Sequence, residues 1–359
     1  MIEHKRPRLR DVARLAGVST ATVSLVLNGR VSKGIQISQE TRERVLRAVQ
    51  ELGYLVNPVA RSLRGGQNRI MGVFIYSRFP MQDRAFYYLF LDGMEEEAAM
   101  QDYNLLLFTR AGSLGSERRI YHNGINHLQT TDGAILLGRG DRQEMARLVE
   151  EGYPFVFIGR REVPGHQLSY IEADYVGGAV QAIEHLVRLG HRKIAFLGYT
   201  DASAPASESS HDREVGYRLA HQRLGLPLDE TLILHTCKDD ITVELLKSLA
   251  GRGVTACVAD DATLALAFSQ VAQQIGQRIP QDCSLIALGD AAQTVTEGLA
   301  VLTHFATDLT TFVIPRREMG MQAVRLLSQI LAHPDQRGPH RLTIPGTFSS
   351  GSTTGAPPS

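Results

Sequence analysis

Eight short apolar runs constrain this chain more than any other feature. They are IMGVFIYS from Ile70, NLLLF from Asn104, GAILLG from Gly133, FVFIG from Phe155, KIAFLG from Lys193, TLILH from Thr231, ACVAD from Ala256 and SLIALG from Ser284. Most are unbroken by polar residues and too short for helices, as expected of strands buried on both faces of a parallel sheet. Amphipathic stretches at 87–100, 143–152 and 177–190 separate them and read as helices. Strands alternating with helices imply right-handed βαβ units. Eight or more strands exceed one compact sheet of ordinary size, so the pattern predicts two doubly wound parallel-sheet halves with a cleft between them.

Before the first of these runs the chain has a different character. The formal net charge of all 359 residues is zero, yet residues 1–66 carry 12 Lys and Arg against 5 Asp and Glu, a surplus of seven. The remainder carries 26 against 33, a deficit of the same size. Local positive charge of this kind, with Lys5, Arg6, Arg8, Arg10 and Arg14 close together, is either a solvated face or a surface suited to a phosphate backbone.

The stretch DVARLAGVSTATVSLVLN, residues 11–28, reads as two short helices with Gly17 supplying a left-handed turn and Ser19 capping the second. That is the outline of a helix-turn-helix, in which the first residues of the second helix face the major groove. By spacing alone an ordinary pair of packed surface helices fits equally well. A polar loop over 29–37 leads to a third helix that Ser38 can cap, whose face Val45, Val49 and Leu52 should close a small core against Val12, Val18 and Val23. Then NPVARSLRGG places a cap at Asn57, Pro58 at the first helical position and about two turns before the glycines. So short a helix is marginal in water and should order only on binding; a plain interdomain linker is the other reading.

The remaining features are mostly negative. Cys237, Cys257 and Cys283 are odd in number and far apart, so neither a disulfide framework nor a zinc site is indicated and a reducing cytoplasm is the simplest home. No run is long enough to span a membrane, and the basic N-terminus has no apolar segment behind it. The lone GRGDR turn at Gly138 and the scattered histidines, His185 and His191 included, give no enzyme constellation. No metal and no cofactor are expected. The end of the chain, GTFSSGSTTGAPPS, reads as a low-complexity disordered tail.

In order along the chain, LRDVARLAGVSTATVSLVLN, ISQETRERVLRAVQELGY, NPVARSLRGG, EHLVRLGHRKIAFLG, DREVGY, VADDATLAL, IPQDCSLIALGD and DLTTFVIP resemble the lactose and galactose repressor family, LacI/GalR-type regulators. The resemblance covers nearly the whole chain. It implies a helix-turn-helix domain at 1–56, a hinge helix or linker at 57–66, and an effector-binding and dimerisation domain at 67–345, followed by the tail 346–359. The effector domain would comprise two periplasmic-binding-protein-like subdomains, roughly 67–190 plus 315–333, and 191–314 plus 339–345.

The resemblance further implies a ligand-responsive transcriptional regulator, a repressor, acting as a homodimer or tetramer on a palindromic double-stranded DNA operator. A sugar-like effector, or another small polar metabolite, would sit in the interdomain cleft. Thr20, Ala21 and Leu25 match positions facing base edges; Leu9, Ser19, Thr22, Ser24 and Asn28 match positions contacting the DNA backbone. Leu63 matches a hinge leucine that wedges the minor groove, beside Asn57, Ala60 and Arg64. Arg213, Asp260 and Asp290 match effector-contacting positions; taken without the family they read as a helix-surface ion pair and strand-end turns. This chain departs from the usual pattern in five places, one being that Asp290 is followed by Ala291 instead of another aspartate. The loop at 29–36 is longer, Asp260 stands where asparagine is commoner, Asn-Pro-Phe after the first effector-domain strand is replaced by RFPMQDRAFYY, and TEGLAVLTHFAT precedes DLTTF. These departures predict a pocket unlike a standard sugar site.

Overall fold

A computed structural model describes residues 7–28, 37–52, 68–76, 84–109, 118–199, 208–289, 308–336 and 338–358. The chain divides into two compact units, Met1–Asn68 and Arg69–Ser359.

The first unit holds α1 (Leu9–Ala16), α2 (Thr20–Asn28) and α3 (Gln39–Leu52). Helix α1 begins two residues before the expected start at Asp11, because the Asp11 carboxylate accepts the Arg8 backbone N–H at 2.8 Å and caps the earlier turn. That hydrogen bond also holds the Asp11 carboxyl below the usual carboxylate range. Gly17 ends the helix at φ 63°, where an L side chain would be strained, and its N–H returns to the carbonyls of Ala13 and Arg14. Val12, Val23 and Val45 are fully buried, with Ala13, Ala16, Val26 and Ala48 packed among them. Burying each such valine contributes about 1.5–3 kcal/mol. Val18, Val49 and Leu52 lie at the edge of this core and not at its centre.

The second unit contains two six-stranded sheets. The first, in the order β13-β7-β6-β5-β1-β2, is formed by β1 (Ile70–Ile75), β2 (Asn104–Phe108), β5 (Gly133–Leu137), β6 (Phe155–Ile158), β7 (Tyr170–Ala173) and β13 (Arg341–Ile344). The second, in the order β14-β12-β11-β10-β8-β9, is formed by β8 (Ile194–Tyr199), β9 (Ile233–Thr236), β10 (Ala256–Ala259), β11 (Ser284–Ala287), β12 (Thr310–Val313) and β14 (Thr347–Ser349). All pairs in both sheets are parallel except the β12–β14 edge. A separate hairpin joins β3 (Tyr121–His122) and β4 (Ile125–Asn126).

The helices are α4 (Arg84–Met100), α5 (Arg142–Glu150), α6 (Tyr175–Arg188), α7 (Glu208–Leu224), α8 (Val243–Gly251), α9 (Ala262–Gln274) and α10 (Arg316–Ala332). Apolar clusters lie on both faces of each sheet, as expected for doubly wound halves. The edge strands depart from the expected double burial: β2 leaves Leu106 and Leu107 about 40% exposed, and β9 leaves His235 exposed.

The chain crosses between the sheets three times: from β7 to α6, from β12 to α10, and from β13 to β14. These crossings correct three expected boundaries. Residues 341–344 belong to the first sheet and not to the second subdomain, since β13 pairs with β7. Helix α6 packs on the second sheet although 177–190 were assigned to the first subdomain, because Ala179, Ile183 and Leu186 share a core with Phe196 and Val258. The tail is ordered, contrary to expectation. Thr353 is buried; its hydroxyl donates to the Leu285 carbonyl at 2.7 Å and accepts the Thr310 N–H at 2.9 Å, while its own carbonyl accepts the Leu285 N–H at 2.8 Å. The small polar residues that read as low complexity are the ones able to meet β11 and β12 closely.

His191, also fully buried, closes the same seam. Its Nε2 donates to the Gly355 carbonyl at 2.9 Å, which leaves Nδ1 to accept from Thr255 Oγ1 at 2.8 Å. Burial pushes the imidazole below its usual pKa and keeps it neutral.

Candidate functional sites

Helix α2 presents Thr20 and Ala21 as exposed residues, with Thr22, Ser24 and Leu25 half-buried behind them. Ser19 accepts the Thr22 backbone N–H at 3.0 Å and bonds the Thr22 hydroxyl at 2.9 Å, so the first turn of α2 is capped by two of the expected backbone-contacting residues. Leu9 opens α1 at the edge of the core, and Asn28 is the last residue of α2. The hinge residues Asn57, Ala60, Leu63 and Arg64 lie outside the described residues, as do Asp290, the loop at 29–36 and the segment at 290–307.

In the second unit both sheets have a first strand flanked by the second and third strands of their own half. This creates a switch point between β1 and β5 and another between β8 and β10. Ligands of such sheets bind beyond the carboxyl ends of the strands at that point. Asp260 directly follows β10, and the structure brings it to Arg213 on α7: Arg213 Nη1 lies 3.3 Å from Asp260 Oδ2. Arg213 Nε donates to the Leu288 carbonyl at 2.9 Å, and its guanidinium lies 4.5 Å from the Tyr175 ring centroid. Ser210, one turn before Arg213, donates to Asp260 Oδ2 at 2.9 Å.

Both members of the pair are buried, Arg213 6% and Asp260 2% exposed, and Asp260 Oδ1 has no hydrogen-bond partner among the described residues. Burial raises the Asp260 carboxyl, with Arg213 opposing. Asp261 is occupied differently. It caps α9 by accepting the N–H groups of Thr263 and Leu264, and its other oxygen accepts the Tyr199 hydroxyl at 2.8 Å. Gly216 sets the height of α7, since a Cβ there would sit 2.4 Å from the Val176 carbonyl of α6.

The opposite wall comes from the first sheet. Arg160 and Arg161 follow β6; Arg160 pairs with Asp212 at 2.8 Å and Arg161 with Glu208 at 3.1 Å. Glu208 also receives Arg142 at 3.5 Å and the Glu162 N–H at 3.3 Å, and Arg161 donates to the Gly138 carbonyl at 2.9 Å. The first turns of α7 therefore touch both subdomains.

The sequence pattern of the bacterial regulatory proteins of the lacI family matches residues 8–57, and that of the periplasmic binding protein-like domain matches residues 183–354. The HTH-type transcriptional regulator CelR of Thermobifida fusca is 32% identical over 333 residues, 91% of this chain and 92% of the relative. The chain belongs to the LacI family. Another member, the HTH-type transcriptional repressor PurR of Vibrio vulnificus, is 28% identical over 325 residues, 89% of this chain and 90% of that protein. Among solved structures, the complex of the regulator CelR with cellobiose superposes with a TM-score of 0.61 at 28% identity, covering 97% of this chain and 100% of the other. The lac repressor dimer bound to operator superposes with a TM-score of 0.68 at 22% identity, over 98% and 100% of the two chains, and shares the fold.

This LacI-family protein is thus a ligand-responsive transcriptional regulator, and its relatives are regulators, not enzymes. Among its described residues no helix is long and apolar enough to cross a membrane.

Sequence reasoning placed its candidate effector residues in the second subdomain alone and did not single out Arg160, Arg161, Tyr175, Tyr199, Ser210 and Asp261, which surround the first turns of α7 and the Arg213–Asp260 pair. The position of Arg160 and Arg161 was a usable clue: charged residues directly after an apolar parallel strand stand at its carboxyl end. Ser210 was implied by its i−3 spacing from Arg213 on one helix face.

Proposed function

We propose that this LacI-family protein is a repressor that binds a palindromic operator as a dimer and takes a small, hydroxyl-rich effector in the cleft between its two sheets. The observation that carries the cleft reading is the convergence of Arg213, Ser210 and Asp260 beyond the carboxyl ends of the strands at a sheet switch point. The cellobiose complex of CelR agrees in kind with such a ligand. For DNA, the exposed first turn of α2 and the surplus of seven positive charges over residues 1–66 support major-groove docking with phosphate contacts. Thr20, Ala21 and Leu25 face the base edges. Ala21 and Leu25 offer apolar contact with a thymine methyl and no bidentate hydrogen bond, so much of the discrimination falls to Leu63 wedging the central step. The exposed leucines of edge strand β2 support pairing of a second copy along this face.

Selection of bound sequences from random duplexes tests the DNA reading. Recovery of a palindrome with a flexible pyrimidine–purine centre is expected, and enrichment of a site without two-fold symmetry would overturn it. Leu63→Ala should weaken operator binding while leaving dimerisation intact; gel-shift titration beside analytical ultracentrifugation reads both.

A further inference from the structure

Among the described residues, three other than glycine adopt a left-handed backbone: Asn123, Asp102 and Arg69. The first two are of the types that tolerate it, and they sit where the chain turns, at the tip of the β3–β4 hairpin and just past the end of α4. Arg69, at φ 57°, is of neither type. It is the first residue of the second unit, directly before β1, so it stands where the chain arrives from the DNA-binding domain. Such a conformation persists in a residue of this kind only when its surroundings over-determine it. Here they do. The Arg69 N–H donates to Asp132 Oδ2 at 2.8 Å and its carbonyl accepts the Asn104 N–H at 2.8 Å, while the Asp132 N–H donates to the Ile70 carbonyl at 2.9 Å. The head of β1 is therefore held from both sides, by the first residue of β2 and by the residue before β5. The exposed guanidinium is tied to the same body: Nη1 donates to the Gln101 carbonyl just past α4 at 3.3 Å, and the group lies 4.9 Å from the Tyr103 ring centroid. Tyr103 is buried in the core shared by α4 and α10, and its hydroxyl bonds Ser328 of α10. Those two helices meet backbone to backbone, since a Cβ at Gly93 would collide with the Arg317 carbonyl and one at Gly320 with the Phe90 carbonyl.

We propose that Arg69 is a positioning residue for operator binding: clamped by Asp132, Gln101 and Tyr103, it fixes the direction in which the chain leaves the α4–α10 body toward residues 57–66. Without the clamp the chain gains conformations that must be given up again when DNA is bound. The guanidinium acts through the backbone it holds and not by touching a phosphate. This rests on the reading of residues 57–66 as the segment that enters the minor groove, but the two can fail separately.

The full-length chain is titrated onto the duplex recovered by selection, read by fluorescence anisotropy over a range of salt concentrations, with urea unfolding of each variant alongside. Arg69→Gly should bind about tenfold more weakly with an unchanged salt slope, because glycine accepts the left-handed backbone but offers no clamp. A guanidinium that served as a phosphate ligand would instead lower the slope by about 0.9 when removed. Asp132→Ala takes away the acceptor of the Arg69 N–H together with one negative charge. Electrostatics alone would leave its DNA binding equal or tighter, whereas loss of the clamp weakens it. A merely structural role would lower the urea midpoint and leave the affinity of the folded protein as in wild type. Wild-type affinity in either folded variant therefore overturns the proposal, and so does a loss in Arg69→Gly that comes with a lower salt slope. If Leu63→Ala keeps wild-type affinity while both clamp variants are weakened, the minor-groove reading falls and the clamp stands.

Discussion

Two arginine–carboxylate groupings share the first turns of α7, and they are built on opposite principles. At the subdomain boundary Glu208 has three partners, Arg161, Arg142 and the Glu162 N–H, while Arg142 itself is largely in solvent. In the cleft, Asp260 has Arg213 and Ser210 on one oxygen and nothing among the described residues on the other. The first grouping is redundant on its basic side, so removing one arginine leaves Glu208 paired with the other. The second has no reserve, and removing either charge strands the other in a dry place. A site meant to exchange protein contacts for ligand contacts benefits from the second construction. A seam that must open and close benefits from the first.

The contrast can be broken most sharply at Arg213. Arg213→Ala should cost about 3–5 kcal/mol in urea unfolding, since Asp260 is left as an uncompensated buried charge. It should also abolish the effector's effect on operator binding. A cost below 1 kcal/mol would mean that Asp260 finds another partner and that the two groupings do not differ. A buried but uncharged network lies between these extremes. Thr353→Val keeps the shape of the side chain and removes the hydroxyl that serves both Leu285 and Thr310, at an expected cost of about 1–3 kcal/mol. The smallest effect belongs to Arg142→Met, expected at about 0.2–1 kcal/mol in low salt and none in high salt. A larger, salt-independent loss would show that the boundary grouping is as rigid as the cleft.

The tail adds a pH dependence. His191 is held neutral, so its folded-state pKa lies below the unfolded value of 6.5. The unfolded chain then binds more protons, and stability falls as pH drops below about 6.5 until the folded-state pKa is passed. His191→Asn should flatten that limb of a melting-temperature profile; an unchanged slope would assign it to His185 and His221, which burial shifts the same way.

Much of this was legible in the residues. The eight apolar runs are all strands, four in each sheet, because an unbroken apolar run this short marks a strand whether both faces are buried or, as at edge strand β2, side chains are left open. Apart from the β3–β4 hairpin, the strands that escaped notice, YIEA, TTFV, RLTI and TFS, are the ones at or beside the crossings. They are short and half polar because they lie toward the sheet edges or carry the chain between sheets. Arg213 and Asp260 were legible through family resemblance, but their meeting across 47 residues was not. Nor was the tail, whose glycines and threonines have the same composition whether they wave in solvent or fill a seam.

The three crossings have a mechanical consequence. One connection between two bodies permits twisting and sliding in many directions, and each further connection removes some of that freedom; here there are three. Lengthening a single crossing should leave the two sheets tied together by the other two.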